Sequence, residues 1–204
     1  LWLSTNLNFL KGILYNVVIF KQVLMITIIT GTNRRDSEAL HFAKHYKKVI
    51  ESKSSDEVNL ISLEDLPSDI FHPDMYEKSG QAAAIVHLQD EKMLPAGKFI
   101  FVVPEYNGSF PGALKLFLDA VSVREYAKTF KGKKAALVGV ATGRAGNLRG
   151  LEHLTGILNH VGTIILPNRL PISSIEKLMN EKGEITDGPT LKVIEKHVDE
   201  FLLF

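Results

Sequence analysis

Cysteine is absent from this chain of 204 residues. The absence excludes disulfide bonds, thiolate metal sites and thiol nucleophiles, and it is compatible with a reducing compartment. An excess of charge of either sign is also lacking, since 24 Lys and Arg stand against 23 Asp and Glu, for a formal net charge of +1. This balance gives no reason to expect a nucleic acid or an anionic membrane as a partner.

The chain also lacks a long hydrophobic run. Two lysines interrupt the apolar segment 1–24, and the uncharged run between them, Gly12–Phe20, is far shorter than the roughly 20 residues of a membrane-spanning helix. The segment does not have the basic start and small-residue cleavage site of a good signal peptide. Because Met25 opens a clean strand, we expect residues 1–24 to be a doubtful extension and residues 25–204 to form one domain.

Strand-like and helix-like stretches alternate along the rest of the chain. Short apolar runs predict five strands: Met25–Thr30, Glu57–Leu63, Lys98–Val103, Lys134–Val140 and Thr163–Leu166. Apolar residues at helical spacing predict five helices: Ser37–Glu51, Lys78–Leu94, Pro111–Val123, Asn147–His160 and Thr190–Leu203. Because parallel neighbours need right-handed crossovers, this alternation predicts an α/β fold with a parallel sheet covered on both faces. Ligands of such sheets bind at the carboxyl ends of the strands, so the loops after strands one, three and four are the candidates.

The first of these loops, 31–37, leaves strand one and enters a helix. A helix N-terminus presents unpaired N–H groups and partial positive charge, which suit a phosphate. The hydroxyls of Thr32 and Ser37 and the guanidinium of Arg34 can add contacts. The spacing fits neither a Walker loop nor the dinucleotide Gly-x-Gly-x-x-Gly motif. In the alternative interpretation Ser37 or Asp36 only caps the helix and Arg34 is solvated.

The second loop, 104–109, reads Pro-Glu-Tyr-Asn-Gly-Ser and follows the most apolar strand. Gly108 permits unusual backbone angles and close approach of a ligand, and Tyr106 and Asn107 offer planar and polar contacts for a ring system. An ordinary Asn-Gly turn is the alternative. The third loop, 141–147, has two glycines around an Arg and can aim backbone N–H groups at an anionic ligand edge, or it is a flexible connection.

Together the three loops resemble the NADPH-dependent FMN reductase family, a group of flavodoxin-like quinone, azo-dye and chromate reductases. The motifs are Gly-Thr-Asn-Arg-x-x-Ser, Pro-Glu-Tyr-Asn-Gly-Ser and Gly-Arg-Ala-Gly, and the resemblance covers about residues 25–204. It implies a flavodoxin-like three-layer sandwich whose five-stranded parallel sheet has the strand order 2-1-3-4-5. One departure is Asp36, where a small residue is common, because a carboxylate near a phosphate weakens binding unless it points away or pairs with Arg35.

The resemblance also implies FMN as the cofactor and NADPH or NADH as the co-substrate. It assigns the FMN phosphate to the first loop, the isoalloxazine and ribityl to the second, and the pyrimidine edge to the third. The residues so assigned are Thr32, Arg34 and Ser37; Pro104, Glu105, Tyr106, Asn107 and Gly108; and Thr142, Gly143 and Arg144.

The expected function is transfer of hydride from a reduced nicotinamide, by way of bound FMN, to a small acceptor such as a quinone, an azo compound or free flavin. Alternatives are an electron carrier of the flavodoxin type without nicotinamide activity, and a related module that binds no flavin. Family resemblance further implies a cytoplasmic homodimer or homotetramer. His41 and His45 lie four apart on a helix and could share a metal ion, but no third ligand is evident, so no metal site is expected.

Overall fold

The computed structural model describes residues 24–77 and 80–204. The predicted extension therefore lies, apart from Leu24, outside the described residues. The strands are β1 Met25–Thr30, β2 Glu57–Ser62, β3 Ala96–Pro104, β4 Lys134–Val140, β5 Ile164–Ile165 and β6 Leu170–Ile172. The helices are α1 Glu38–Lys53, α2 Ala83–Leu88, α3 Gly112–Ala120, α4 Tyr126–Phe130, α5 Leu148–His160 and α6 Gly188–Leu203.

The strands form one parallel sheet in the order β2-β1-β3-β4-β5, which confirms the predicted order. The prediction of five strands was wrong by one, because β6 also pairs with β4. β5 pairs with the start of β4, and β6 pairs with its end. Pro167 lies in the connection between β5 and β6, and Pro171 lies within β6, a position that an edge strand tolerates because it needs no inward N–H there.

Helices cover both faces of the sheet, as expected for a three-layer sandwich. One core packs α2, α3 and α5 against side chains such as Phe99 and Phe101 of β3. The other packs α1 and α6 against Ile28 and Ile100. β3 is buried along almost its whole length, as a central parallel strand is.

Two helical predictions needed correction. Of the helix expected over Lys78–Leu94, residues 78 and 79 lie outside the described residues. The described part is a regular helix only in α2 and continues as a π-helical turn over Gln89–Met93. Gln89 lies in this turn and is buried, and its side-chain amide donates to the backbone oxygens of Val121 and Arg124. The short helix α4 was not predicted, since five residues are too few for a helical period to be recognised.

A buried polar contact joins α6 to α1. The hydroxyl of Tyr46 donates to Nδ1 of His197 at 2.9 Å, because Nε2 of the same ring donates to the backbone oxygen of Asn168, also at 2.9 Å. Burial lowers the pKa of His197 and raises the pKa of Tyr46, so both groups are held neutral. Within residues 24–77 and 80–204, no helix combines the length and the apolar character that crossing a membrane requires.

Candidate functional site

Three loops far apart in the chain surround one cavity of about 400 Å³ at the carboxyl ends of β1, β3 and β4. We call it the edge cavity. Its volume lies within the roughly 300–1,000 Å³ that is usual for small-molecule sites. The residues of its wall are Arg34, Ser37, Glu38, Pro104, Glu105, Tyr106, Asn107, Gly108, Val140, Ala141, Thr142, Gly143 and Ile175. The structure thus brings together nine of the predicted site residues, while Thr32 and Arg144 lie outside the wall.

The N-terminus of α1 forms one end of the edge cavity. Ser37 caps the helix: its Oγ accepts from the N–H of Ala39 at 3.3 Å, and its backbone oxygen accepts from the N–H of Leu40 at 2.9 Å. The N–H of Glu38, the first helical residue, has no acceptor inside a helix, and Glu38 lines the cavity. The positive end of the helix and the side chain of Arg34 therefore meet at one place, which suits an anion.

Thr32 connects the first and second loops from behind the wall. It is 1% exposed. Its hydroxyl accepts from the N–H of Arg34 at 3.2 Å and donates to the hydroxyl of Tyr106 at 3.1 Å. The hydroxyl expected to reach a phosphate is thus used to hold Arg34 and Tyr106 in place.

The second loop is a tight turn as well as part of the wall. Tyr106 and Ser109 exchange both backbone hydrogen bonds, at 2.9 and 3.0 Å. Asn107 and Gly108 between them have φ angles of 51° and 75°. Positive φ at both central residues is the type I′ geometry that Asn-Gly favours. The two interpretations of this loop are therefore compatible, because the turn is what presents its backbone to the cavity.

Asn147 ties the third loop to the end of β3. It is 1% exposed, and its amide nitrogen donates to the backbone oxygens of Val103 at 3.0 Å and Pro104 at 2.9 Å. Gly150, one turn further along α5, makes room for it: a Cβ on Gly150 would lie 2.1 Å from Oδ1 of Asn147. Sequence reasoning placed Asn147 in the third loop but did not recognise it as the residue that fixes the second.

The third loop contributes Ala141, Thr142 and Gly143 to the wall. A Cβ on Gly143 would meet nothing within 4 Å, so the backbone here is open to a ligand. Gly146 instead packs tightly, because a Cβ there would lie 2.8 Å from the backbone nitrogen of Ile172. Arg144 is exposed and is not part of the wall.

Four residues of the wall were not predicted: Glu38, Val140, Ala141 and Ile175. Ile175 follows β6, and its N–H donates to the backbone oxygen of Ala141 at 3.3 Å. It could not be found because β6 itself was not recognised. Glu38 could have been found, since it occupies the first turn of a helix whose N-terminus was already a candidate.

The charged groups of the wall are Arg34, Glu38 and Glu105. In the part of the chain that the structure describes, Arg34 makes no ion pair within 4 Å, so its charge is available to a ligand. Asp36, the departure from the family pattern, is exposed, has a φ angle of 51° and is not part of the wall.

A doubly wound parallel sheet with the strand order 2-1-3-4-5 and a polar cavity at its carboxyl edge places the chain in the flavodoxin-like class of α/β proteins. The profile of the NADPH-dependent FMN reductase family matches residues 24–177. The chain belongs to this family. Its enzyme class, with FMN as cofactor and NAD(P)H as co-substrate, is thereby confirmed.

Similar proteins include a 2-hydroxy-1,4-benzoquinone reductase of a Burkholderia species, 25% identical over 181 residues, which are 87% of this chain and 94% of the relative. A quinone reductase of Escherichia coli K12 is 28% identical over 171 residues, 82% of this chain and 88% of the relative. Among solved structures, the flavoenzyme FerB of Paracoccus denitrificans, an NAD(P)H:(acceptor) oxidoreductase, is 28% identical with a TM-score of 0.71 and covers 88% of this chain and 96% of its own. An FMN-dependent NADH-azoreductase of Bacillus anthracis, in complex with FMN, shares the fold at 16% identity and a TM-score of 0.58, covering 88% of this chain and 97% of its own.

Proposed function

We propose that the chain passes hydride from NADPH or NADH, by way of FMN held in the edge cavity, to a small acceptor such as a quinone, an azo compound or free flavin. The observation that carries the proposal is the convergence of three separated loops on one cavity at the carboxyl edge of the sheet. The names of the relatives from Burkholderia and Escherichia coli support a quinone as the acceptor.

The end of the cavity at α1 fits the phosphate of FMN. Arg34 supplies a guanidinium without an ion-pair partner among the described residues, the helix supplies the N–H of Glu38, and Ser37 supplies a hydroxyl. The carboxylate of Glu38 lies on the same wall and opposes an anion, so most of the affinity for phosphate is assigned to Arg34 and the helix end. Thr32 acts indirectly by holding the backbone of Arg34.

The middle of the cavity fits a flat ring. The turn at Asn107 and Gly108 forms one side, and the open backbone at Gly143 allows a planar group to lie close to it. When bound, FMN supplies the two-electron chemistry, and the protein supplies placement and electrostatics. Asn147 and Gly150 keep the second and third loops at a fixed separation, and the apolar side chains of Val140 and Ile175 exclude water from this part of the wall.

The assembly, the location and the domain bounds also remain part of this proposal. They are a homodimer or homotetramer, a cytoplasmic location, and a catalytic domain of residues 25–204 that does not need residues 1–24. Light scattering on the purified chain tests the assembly, and removal of residues 1–24 tests the domain boundary: we expect unchanged FMN binding.

Steady-state kinetics with both nicotinamides test the proposed activity. NADPH and NADH are each measured against a panel of quinones, azo dyes and free FMN, using the FMN-loaded protein. We expect nicotinamide oxidation that requires FMN and an added acceptor. An electron carrier would hold FMN and yet oxidise neither nicotinamide, and a module without flavin would not take up FMN at all; either result contradicts the proposal.

A further inference from the structure

A second cavity lies on the other side of the loop between β1 and α1. It has a volume of about 430 Å³, and we call it the side cavity. Its wall is formed by Asn33 and Arg35 of that loop, by seven residues of the segment 63–71 after β2, and by Ala113 and Leu116 of α3. Consecutive α-carbons are about 3.8 Å apart, and Arg34 lines the edge cavity while Arg35 lines the side cavity. One loop therefore separates the two cavities.

The two cavities share a second boundary as well. The connection that follows β3 gives the edge cavity its turn at Asn107 and Gly108, and it then enters α3, whose first two turns line the side cavity. The two cavities are therefore neighbours at the carboxyl edge of the sheet, so a long ligand bound in the edge cavity has to cross only this one loop to reach the side cavity.

The side chains of the side cavity suit a nucleotide. Arg35 is exposed, and in the described ranges it makes neither an ion pair nor a side-chain hydrogen bond, so its guanidinium is available for a phosphate. Phe71 is 59% exposed, unusually so for a large aromatic side chain. Its ring gives a base a face to stack on, and Leu66 and Ile70 provide apolar surface beside it.

We propose that the side cavity binds the adenylate end of NAD(P)H, with Arg35 on a phosphate and Phe71 on the adenine, while the nicotinamide reaches the edge cavity. This inference rests on the proposed function, because it assumes that a nicotinamide dinucleotide is the reductant. It adds a location and two recognition residues for the part of the dinucleotide that does not react.

Glu64 also belongs to the wall of the side cavity. A carboxylate accepts a hydrogen bond from the ribose 2′-hydroxyl of NADH but repels the 2′-phosphate of NADPH, whereas an arginine attracts that phosphate. Arg35 and Glu64 therefore act in opposite directions on the choice between the two nicotinamides.

Binding of fragments tests the site without turnover. Isothermal titration of the FMN-loaded protein with adenosine 2′,5′-bisphosphate and with ADP is compared for the wild type, Arg35→Gln, Phe71→Ala and Lys44→Gln. Lys44 is an exposed cation of α1 that lines neither cavity, so Lys44→Gln controls for the lost charge. Loss of one charge-assisted phosphate contact predicts binding weaker by about tenfold in Arg35→Gln. If Arg35→Gln loses affinity for the 2′,5′-bisphosphate alone, Arg35 contacts the 2′-phosphate. If it loses affinity for both fragments, Arg35 contacts the diphosphate. Equal affinities in all four proteins overturn the inference.

Kinetics separate this inference from the proposed function. Arg35→Gln and Phe71→Ala are expected to raise KM for the nicotinamide with little change in kcat, and Glu64→Gln to lower KM for NADPH relative to NADH. Normal NADPH oxidation with an unchanged KM in Arg35→Gln and Phe71→Ala overturns the inference and leaves the proposed function intact. Failure of the wild type to oxidise either nicotinamide overturns both.

Discussion

The hydroxyl of Thr32 donates to the hydroxyl of Tyr106 at 3.1 Å, across the loops that follow β1 and β3. Thr32 also accepts from the N–H of Arg34, so one buried hydroxyl sets the positions of a cation and an aromatic ring on the wall of the edge cavity. The two motifs that pointed to phosphate and ring binding are therefore physically coupled.

Tyr106→Phe tests this coupling. The change removes the acceptor of the Thr32 hydroxyl and keeps the ring, so we expect a loss of about 1 kcal/mol in the free energy of unfolding. Because Thr32, which accepts from the N–H of Arg34, is then held less firmly, FMN affinity should fall as well. Urea unfolding and fluorescence titration with FMN measure the two effects. A variant as stable as the wild type, with unchanged FMN affinity, would show that the contact between the hydroxyls does not matter.

Arg34→Gln tests the phosphate end of the edge cavity. A hydrogen bond to a charged group contributes about 1.5–3 kcal/mol, so the Kd for FMN should rise roughly 10- to 100-fold. Lys44→Gln removes the same charge away from the cavity and should leave Kd unchanged. Arg144→Gln is informative in addition, because the resemblance assigns Arg144 to the flavin whereas the structure places it outside the wall. We expect a much smaller effect there than at Arg34.

Gly150→Ala tests the support that Asn147 gives to the loops. The new Cβ would lie 2.1 Å from Oδ1 of Asn147, so the amide must move away from the backbone oxygens of Val103 and Pro104. We expect a destabilisation of about 3 kcal/mol, at the upper end of what overpacking costs. Gly156→Ala, in the same helix with nothing within 4 Å of the new Cβ, should instead stabilise by up to about 1 kcal/mol. Thermal unfolding of both variants compares them directly, and equal effects would contradict the account.

The neutral His197 makes the fold sensitive to acid. Burial lowers its pKa in the folded protein, while the hydrogen bond to Asn168 and the charge of Glu200 partly offset this effect. The unfolded chain therefore binds the proton more tightly, so the stability is fully present above about pH 6.5 and is lost as the pH falls below that value. Burial and the nearby Lys48 lower the pKa of His45 too, and it contributes in the same direction despite the opposing charge of Glu195.

Urea unfolding between pH 7.5 and pH 5 measures this dependence. His197→Gln should flatten it, although not completely, because His45 remains. His160→Gln, a change at an exposed histidine of α5, should keep the dependence of the wild type. An equally steep loss of stability in His197→Gln would show that another group carries the effect.

Much of the fold could be predicted because the sequence encodes it locally. The predicted bounds of β1 and β4 coincide with the structure, since both are apolar runs between turn residues. The convergence of the three loops could also be predicted, because the carboxyl ends of parallel strands lie at one edge. Strand β6 was missed, since three residues around Pro171 show no strand pattern and pair only because the end of β4 is open there.

The parts of the site that sequence reasoning missed depend on contacts between distant residues. Whether Thr32 faces a ligand or Tyr106 depends on a residue 74 positions further along the chain, not on the motif around Thr32. Asn147 reaches Val103 across 44 positions, and Ile175 joins the wall only because β6 carries it there. Motifs identified the loops, and tertiary packing selected the side chains that face the cavity.

The most direct test of the central claim is an anaerobic absorbance experiment on the purified chain loaded with FMN. We predict that one FMN binds per chain, that NADPH or NADH removes the yellow colour within seconds, and that addition of a quinone restores it. A protein that does not retain FMN, or whose bound FMN stays yellow with both nicotinamides, would contradict the account.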